Sequence, residues 1–128
     1  MRVLLDTNCL TDGLRGADPE LARKLEEAVE VHIPFVTLAE IKAGFLAGRR
    51  TAENEGLLAA FLRLPGVSVL FADHETTDVY ARLFQQLRRA GTPIPTNDLW
   101  IASLAVQHQL MLLSRDKHFA KLPQVSKG

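Results

Sequence analysis

Val3-Leu4-Leu5-Asp6-Thr7-Asn8, residues 3 to 8, opens with a β-prone apolar run that stops abruptly at a carboxylate. A strand that is apolar at consecutive positions has no solvent face, which marks it as the interior of a parallel sheet covered on both sides. Working outward, Val31 to Val36, Val67 to Phe71 and Leu110 to Leu113 read the same way, with a weak fifth strand near Gln124 to Ser126. Helical stretches separate them. Gly13 to Asp18 reads as a loop; Asp18 as N-cap and Pro19 at the first helical position then open a helix through about Val29. Thr37 caps the next, with Leu38, Ile41 and Phe45 on one face and Gly48 at its end. Another covers about Ala52 to Arg63, Val79, Leu83 and Leu87 mark a fourth, and Leu99 to Val106 is apolar nearly all round, as a buried helix is. Strands alternating with helices predict an α/β fold, a three-layer α/β/α sandwich on a parallel sheet, and ligands of such sheets bind beyond the carboxyl ends of the strands.

The length of 128 residues with 47% apolar side chains fits one domain, residues 1 to 128. Fifteen basic and fifteen acidic side chains cancel, so bulk charge supplies no argument for a nucleic-acid, membrane or acidic partner, and any anionic substrate must be held locally. The longest apolar run, Leu57 to Leu62, falls far short of the ~20 residues needed to cross a bilayer. The apolar stretch Val3 to Leu5 is too short for a secretory signal, and the lone Cys9 cannot form an internal disulfide, so the expected location is cytoplasmic.

Asp6 follows the first strand, Glu40 lies in the first turn of the helix after the second, and Asp116 comes three residues past Leu113. These three share the carboxyl edge of the sheet. Asp98 joins them if the buried helix that feeds the last strand begins at that edge. Crowded carboxylates repel, and the usual relief is a hard divalent cation such as Mg²⁺ or Mn²⁺. His32, His74, His108 and His118 include no close pair and no paired cysteines exist, so the expected ligand set is all oxygen. Such a metal activates water and neutralises charge on a phosphodiester, which makes phosphodiester hydrolysis the natural chemistry.

Each acid also has a plain structural explanation. Thr37-Leu38-Ala39-Glu40 matches a capping box, Asp98 would complement a helix dipole beside a cap at Thr96 or Asn97, and Asp116 is a common turn residue. Asp6 is the hardest to explain so, because a carboxylate at the end of a buried strand needs a partner. Cys9 and Trp100 read as core residues, while Arg115, Lys117 and Lys121 flank Asp116 where they would meet a phosphate backbone.

Leu4-Leu5-Asp6-Thr7-Asn8, Thr37-Leu38-Ala39-Glu40-Ile41, Pro95-Thr96-Asn97-Asp98-Leu99-Trp100-Ile101-Ala102 and Leu113-Ser114-Arg115-Asp116, with His118-Phe119 and Leu122-Pro123 after them, resemble the PIN-domain nucleases, and more narrowly the VapC-type toxins. The motifs run from residue 4 to residue 119 in the family's order. The resemblance implies a sheet in the order 3-2-1-4-5, a homodimer, a VapB-type antitoxin and an RNA substrate. It also implies Asp6, Glu40, Asp98 and Asp116 as the catalytic acids, with Asp6 and Asp98 on Mg²⁺ or Mn²⁺ and with Thr7, Asn8, Asn97 and Ser114 as polar supports. Arg115 stands where members commonly carry asparagine, which assigns Arg115, with Lys117, to the substrate phosphate. The expected reaction is in-line attack on RNA by water activated by the metal and a carboxylate, leaving a 5′-phosphate. Two other readings stand beside it: a phosphomonoesterase, although the DxDxT nucleophile motif is absent, and a non-catalytic, receiver-like module that binds Mg²⁺.

Overall fold

In the computed structural model, which describes residues Met1–Gly128, the chain runs β1 Arg2–Leu5, α1 Thr7–Arg15, α2 Pro19–Glu27, β2 Glu30–Pro34, α3 Phe35–Ala47, α4 Thr51–Leu62, β3 Val67–Leu70, α5 His74–Ala90, α6 Thr96–His108 and β4 Met111–Leu113, then a 3₁₀ helix at Lys117–Lys121. The four strands form one sheet in the order β3-β2-β1-β4, and every pairing is parallel. Leu4 stands opposite His32 on one side and Leu112 on the other, which fixes the register of the central strand.

Successive side chains of a strand face opposite ways, and both faces of β1 are apolar. Val3 and Leu5 join Val31, Ile33 and Leu113 under Leu10 of α1, Leu21 of α2, Ile41 of α3 and Leu58 of α4. Leu4 and Leu112 join Val79, Leu83 and Leu87 of α5 with Leu99, Leu104 and Ala105 of α6. The result is the expected three-layer sandwich. Burying each such side chain contributes about 2 kcal/mol, and Val3, Leu4 and Leu5 are fully inaccessible.

The expected fifth strand is not formed. The C-terminal chain makes an isolated bridge between Leu112 and Lys127, with the Leu112 N–H donating to Ser126 O at 2.7 Å and the Gly128 N–H to Leu112 O at 3.0 Å. Pro123 carries no N–H and fixes φ, and the buried side chains there are Leu122 and Val125, a turn's spacing rather than a strand's. Residues Thr7–Arg15 form α1, so the loop expected from Gly13 begins only at Gly16, where the helix ends in the left-handed conformation at φ 65°.

Helices α5 and α6 are consecutive, so one must run against the other. Thr76, in the first turn of α5, donates to Gln107 in the last turn of α6 at 2.5 Å, and Gln107 donates to Asp73, the α5 N-cap, at 2.9 Å. The two helices are therefore antiparallel, and α6 begins at the carboxyl edge of the sheet before feeding β4. No helix is long and apolar enough to cross a membrane.

Candidate functional site

Asp6 is 5% exposed and is bonded through both oxygens. Its Oδ1 caps α1 by accepting the Cys9 N–H at 2.9 Å, and its Oδ2 accepts the Ser114 hydroxyl. A buried carboxylate needs such donors to offset its desolvation. Burial, and then the neighbouring Asp6 charge, push the Cys9 thiol up to about 12, so this cysteine is an inert small apolar residue as expected. Ser114 also accepts the Asp116 N–H at 3.0 Å, which couples the loop after β4 to the end of β1.

Asp116 caps the 3₁₀ helix by accepting the His118 N–H at 2.9 Å. That turn brings the His118 ring back over the acids, with Nδ1 2.7 Å from Asp98 Oδ2 and 3.0 Å from Asp116 Oδ1. One oxygen of each carboxylate and a ring nitrogen all lie within 4.8 Å of one another, an arrangement that suits a metal ion. Asp98 is free to take part because α6 starts on Pro95 with no side-chain cap, so neither Thr96 nor Asn97 caps this helix. Burial raises the Asp98 pKa above the ordinary carboxylate value; His118 opposes this, and the charges of Asp116 and Glu40 add to it.

The capping box expected at Thr37 and Glu40 is absent. Helix α3 starts at Phe35 on the cap Pro34, three residues earlier than a cap at Thr37 would give, so Thr37 lies inside the helix and its buried hydroxyl donates to Leu5 O at 3.4 Å. Glu40 is thereby released, and it accepts the Thr7 hydroxyl at 2.9 Å. Helix α3 packs against both α1 and α6, which brings Glu40 to the same edge as Asp98. Glu40 and Thr7 also line a groove of about 350 Å³ floored by Leu14, Ile41, Phe45 and Leu57.

The expected supports divide. Thr7 and Ser114 hold carboxylates, whereas Asn8 and Asn97 are exposed and make no side-chain hydrogen bond. Asp6, expected as a metal ligand beside Asp98, is not one of the three groups that converge most tightly. Arg115, expected at phosphate, is ion-paired in the free chain: its guanidinium donates to Asp12 on α1 and to Asp18, the α2 N-cap, clamping the loop after β4 onto those helices. Lys117 is exposed and has no ion pair. His118 is not among the ligands expected from the sequence, because no second histidine or cysteine lies at ligand spacing from it. The signal that would have found it is its place two residues after a strand-end aspartate, where a tight turn returns it to that side chain.

Carboxylates gathered with one imidazole at the carboxyl edge of a parallel sheet describe an acidic class of site with the donor set of a metal centre. The PIN domain family model matches residues 3–125, and the chain belongs to that family. In sequence it is similar to ribonuclease VapC5 of Mycobacterium tuberculosis, 34% identical over 106 residues that cover 80% of this chain and 78% of the relative. Ribonuclease VapC4 of the same organism is 30% identical over 126 residues, covering 97% and 93%. Within the family, then, the chain is of VapC type. In structure it is similar to VapBC2 from Rickettsia felis bound to a DNA fragment from its promoter, with a TM-score of 0.89, 23% identity, and coverage of 100% of this chain and 98% of that one. FitAcB from Neisseria gonorrhoeae follows at a TM-score of 0.78 and 26% identity, covering 98% and 96%.

Proposed function

We propose that residues 1 to 128 act as one PIN-like domain, a Mg²⁺- or Mn²⁺-dependent endoribonuclease and the toxin of a VapBC-type pair. The observation that carries this reading is the meeting of Asp98, Asp116 and His118, with Glu40 brought to the same edge by α3 and Asp6 tied to Asp116 through Ser114. The donor set fits a divalent cation, since carboxylates that disfavour one another's ionisation gain most from a positive charge among them. Asp98 and Asp116 would hold the ion.

When bound, Mg²⁺ or Mn²⁺ lowers the pKa of water and neutralises charge on a phosphodiester. The chain's own groups do the rest. Thr7 fixes Glu40 by Oε1, leaving Oε2 to take the proton of an attacking water. Ser114 keeps Asp116 at a set distance from β1. Lys117, an exposed cation with no ion pair next to Asp116, would meet an RNA phosphate.

The same acidic pocket attracts a basic side chain of an antitoxin, a charge-assisted contact that would block it. The relatives' names and the VapBC complexes of similar fold support a VapB-type partner. Homodimerisation belongs to this reading too; Tyr80 and Phe84, stacked at 6.4 Å on α5, with Phe84 exposed, offer an apolar face to a second copy. Expression of the chain alone is expected to arrest bacterial growth, with arrest relieved by Asp98→Asn and by the co-expressed antitoxin. Arrest by Asp98→Asn as strong as by the wild type would contradict the reading.

A further inference from the structure

We propose that His118 is a nitrogen ligand of the metal in this site and that it biases the site toward first-row transition ions such as Mn²⁺ over Mg²⁺; the inference rests on the metal-dependent reading above.

The imidazole is built into the acidic site from three directions. Its backbone N–H is held by Asp116 Oδ1 at 2.9 Å, and its ring Nδ1 lies 2.7 Å from Asp98 Oδ2 and 3.0 Å from Asp116 Oδ1. The next residue, Phe119, is 1% exposed and anchors the 3₁₀ helix in the core, so the ring is carried on a fixed turn. Nδ1 thus lies beside one oxygen of each carboxylate, so that the three donor atoms are close enough to share one ion. Ligation through Nδ1 would require the ring proton on Nε2 and would replace the contact with Asp98 by a bond to the ion.

The chemical consequence is selectivity. Mg²⁺ is bound through oxygen and keeps its waters, whereas affinity for first-row transition ions grows with nitrogen donors. An all-oxygen set of carboxylates serves Mg²⁺ and Mn²⁺ alike; a carboxylate pair with one imidazole favours the latter.

The test is pulsed electron paramagnetic resonance on the purified chain loaded with Mn²⁺, together with competition between Mn²⁺ and Mg²⁺ for binding. The wild type is expected to show a directly bonded ¹⁴N coupling. His118→Asp, which restores an oxygen donor, and His118→Gln, which keeps a neutral polar side chain, should both lose that coupling. His118→Asp should also lower the ratio of Mn²⁺ to Mg²⁺ affinity by about tenfold, the low end of what disturbing a metal ligand's surroundings costs. Bound Mn²⁺ without nitrogen coupling in the wild type, or coupling that survives in His118→Asp, overturns the assignment of His118 and leaves the metal-dependent nuclease standing. Failure to bind Mn²⁺ at all, with RNA cleaved equally in chelator, overturns both.

Discussion

Replacing Asp6 separates what this carboxylate does for the fold from what it does for the site. In Asp6→Ala the Cys9 N–H loses its cap, a loss worth about 1 kcal/mol. The Ser114 hydroxyl loses its acceptor in a part-buried place, which adds about 1 to 3 kcal/mol. The expected destabilisation is about 2 to 4 kcal/mol, or roughly 10 °C in midpoint for a chain of this size. Asp6→Asn keeps an oxygen for the cap and removes one negative charge from a crowded site, so it should cost under about 1 kcal/mol. Urea unfolding in EDTA measures both, and Asp6→Ala combined with Ser114→Ala should recover about 1 kcal/mol of coupling between the two groups. Neither Asp6 variant should cut RNA. If Asp6→Ala unfolds within about 0.5 kcal/mol of the wild type, a value typical of an uninvolved surface site, the link from β1 to the loop after β4 is not what the hydrogen bonds describe.

Arg115→Gln should cost less than about 1 kcal/mol, as exposed ion pairs do, and should leave KM for RNA and its salt dependence unchanged; a raised KM with a shallower salt slope would return Arg115 to the phosphate. Glu40→Gln should abolish cleavage while leaving the urea midpoint unchanged, because the exposed Glu40 side chain makes one hydrogen bond, to the Thr7 hydroxyl. Leu112→Ala, at a fully buried position of β4, should destabilise by about 3 kcal/mol in the same unfolding assay. The Asp73 carboxyl is held below its ordinary pKa by the Gln107 amide first and then by Thr76, so its contribution is present above the ordinary carboxylate pKa and is lost as pH falls through the depressed one. Asp73→Asn should therefore flatten the loss of stability below about pH 4, and an unchanged acid limb would remove Asp73 from that role.

Four strands were legible as short apolar runs, the pattern a parallel sheet demands, but the second ends at Pro34 rather than Val36 and the fifth is not formed. Helix α1 was not. Its first turn is Thr7-Asn8-Cys9, it carries Gly13, and only Cys9 and Leu10 are buried, so it lacks the long apolar stripe by which surface helices are recognised; a capping carboxylate at Asp6 makes up the difference. The start of α3 was misplaced for the opposite reason. A local capping motif at Thr37 and Glu40 competed with the burial of Phe35 and Val36, and tertiary packing won by extending the helix back to Pro34. All four acids could be named from their positions after strands and at helix starts. The pairing of His118 with two of them depends on a 3₁₀ turn, and the diversion of Arg115 depends on Asp12 and Asp18 arriving from separate helices. Neither contact has a spacing in the sequence that announces it.

The most direct test of the central claim is to incubate the purified chain with single-stranded RNA in EDTA, then with Mg²⁺ or Mn²⁺ restored, and to map the ends of the products. Metal-dependent hydrolysis through Asp98, Asp116 and Glu40 predicts no cleavage in chelator, recovery with the ion, and 5′-phosphate and 3′-hydroxyl ends that are absent with Asp98→Asn. Cleavage in EDTA giving 2′,3′-cyclic phosphate ends, undiminished in Asp98→Asn, would contradict it.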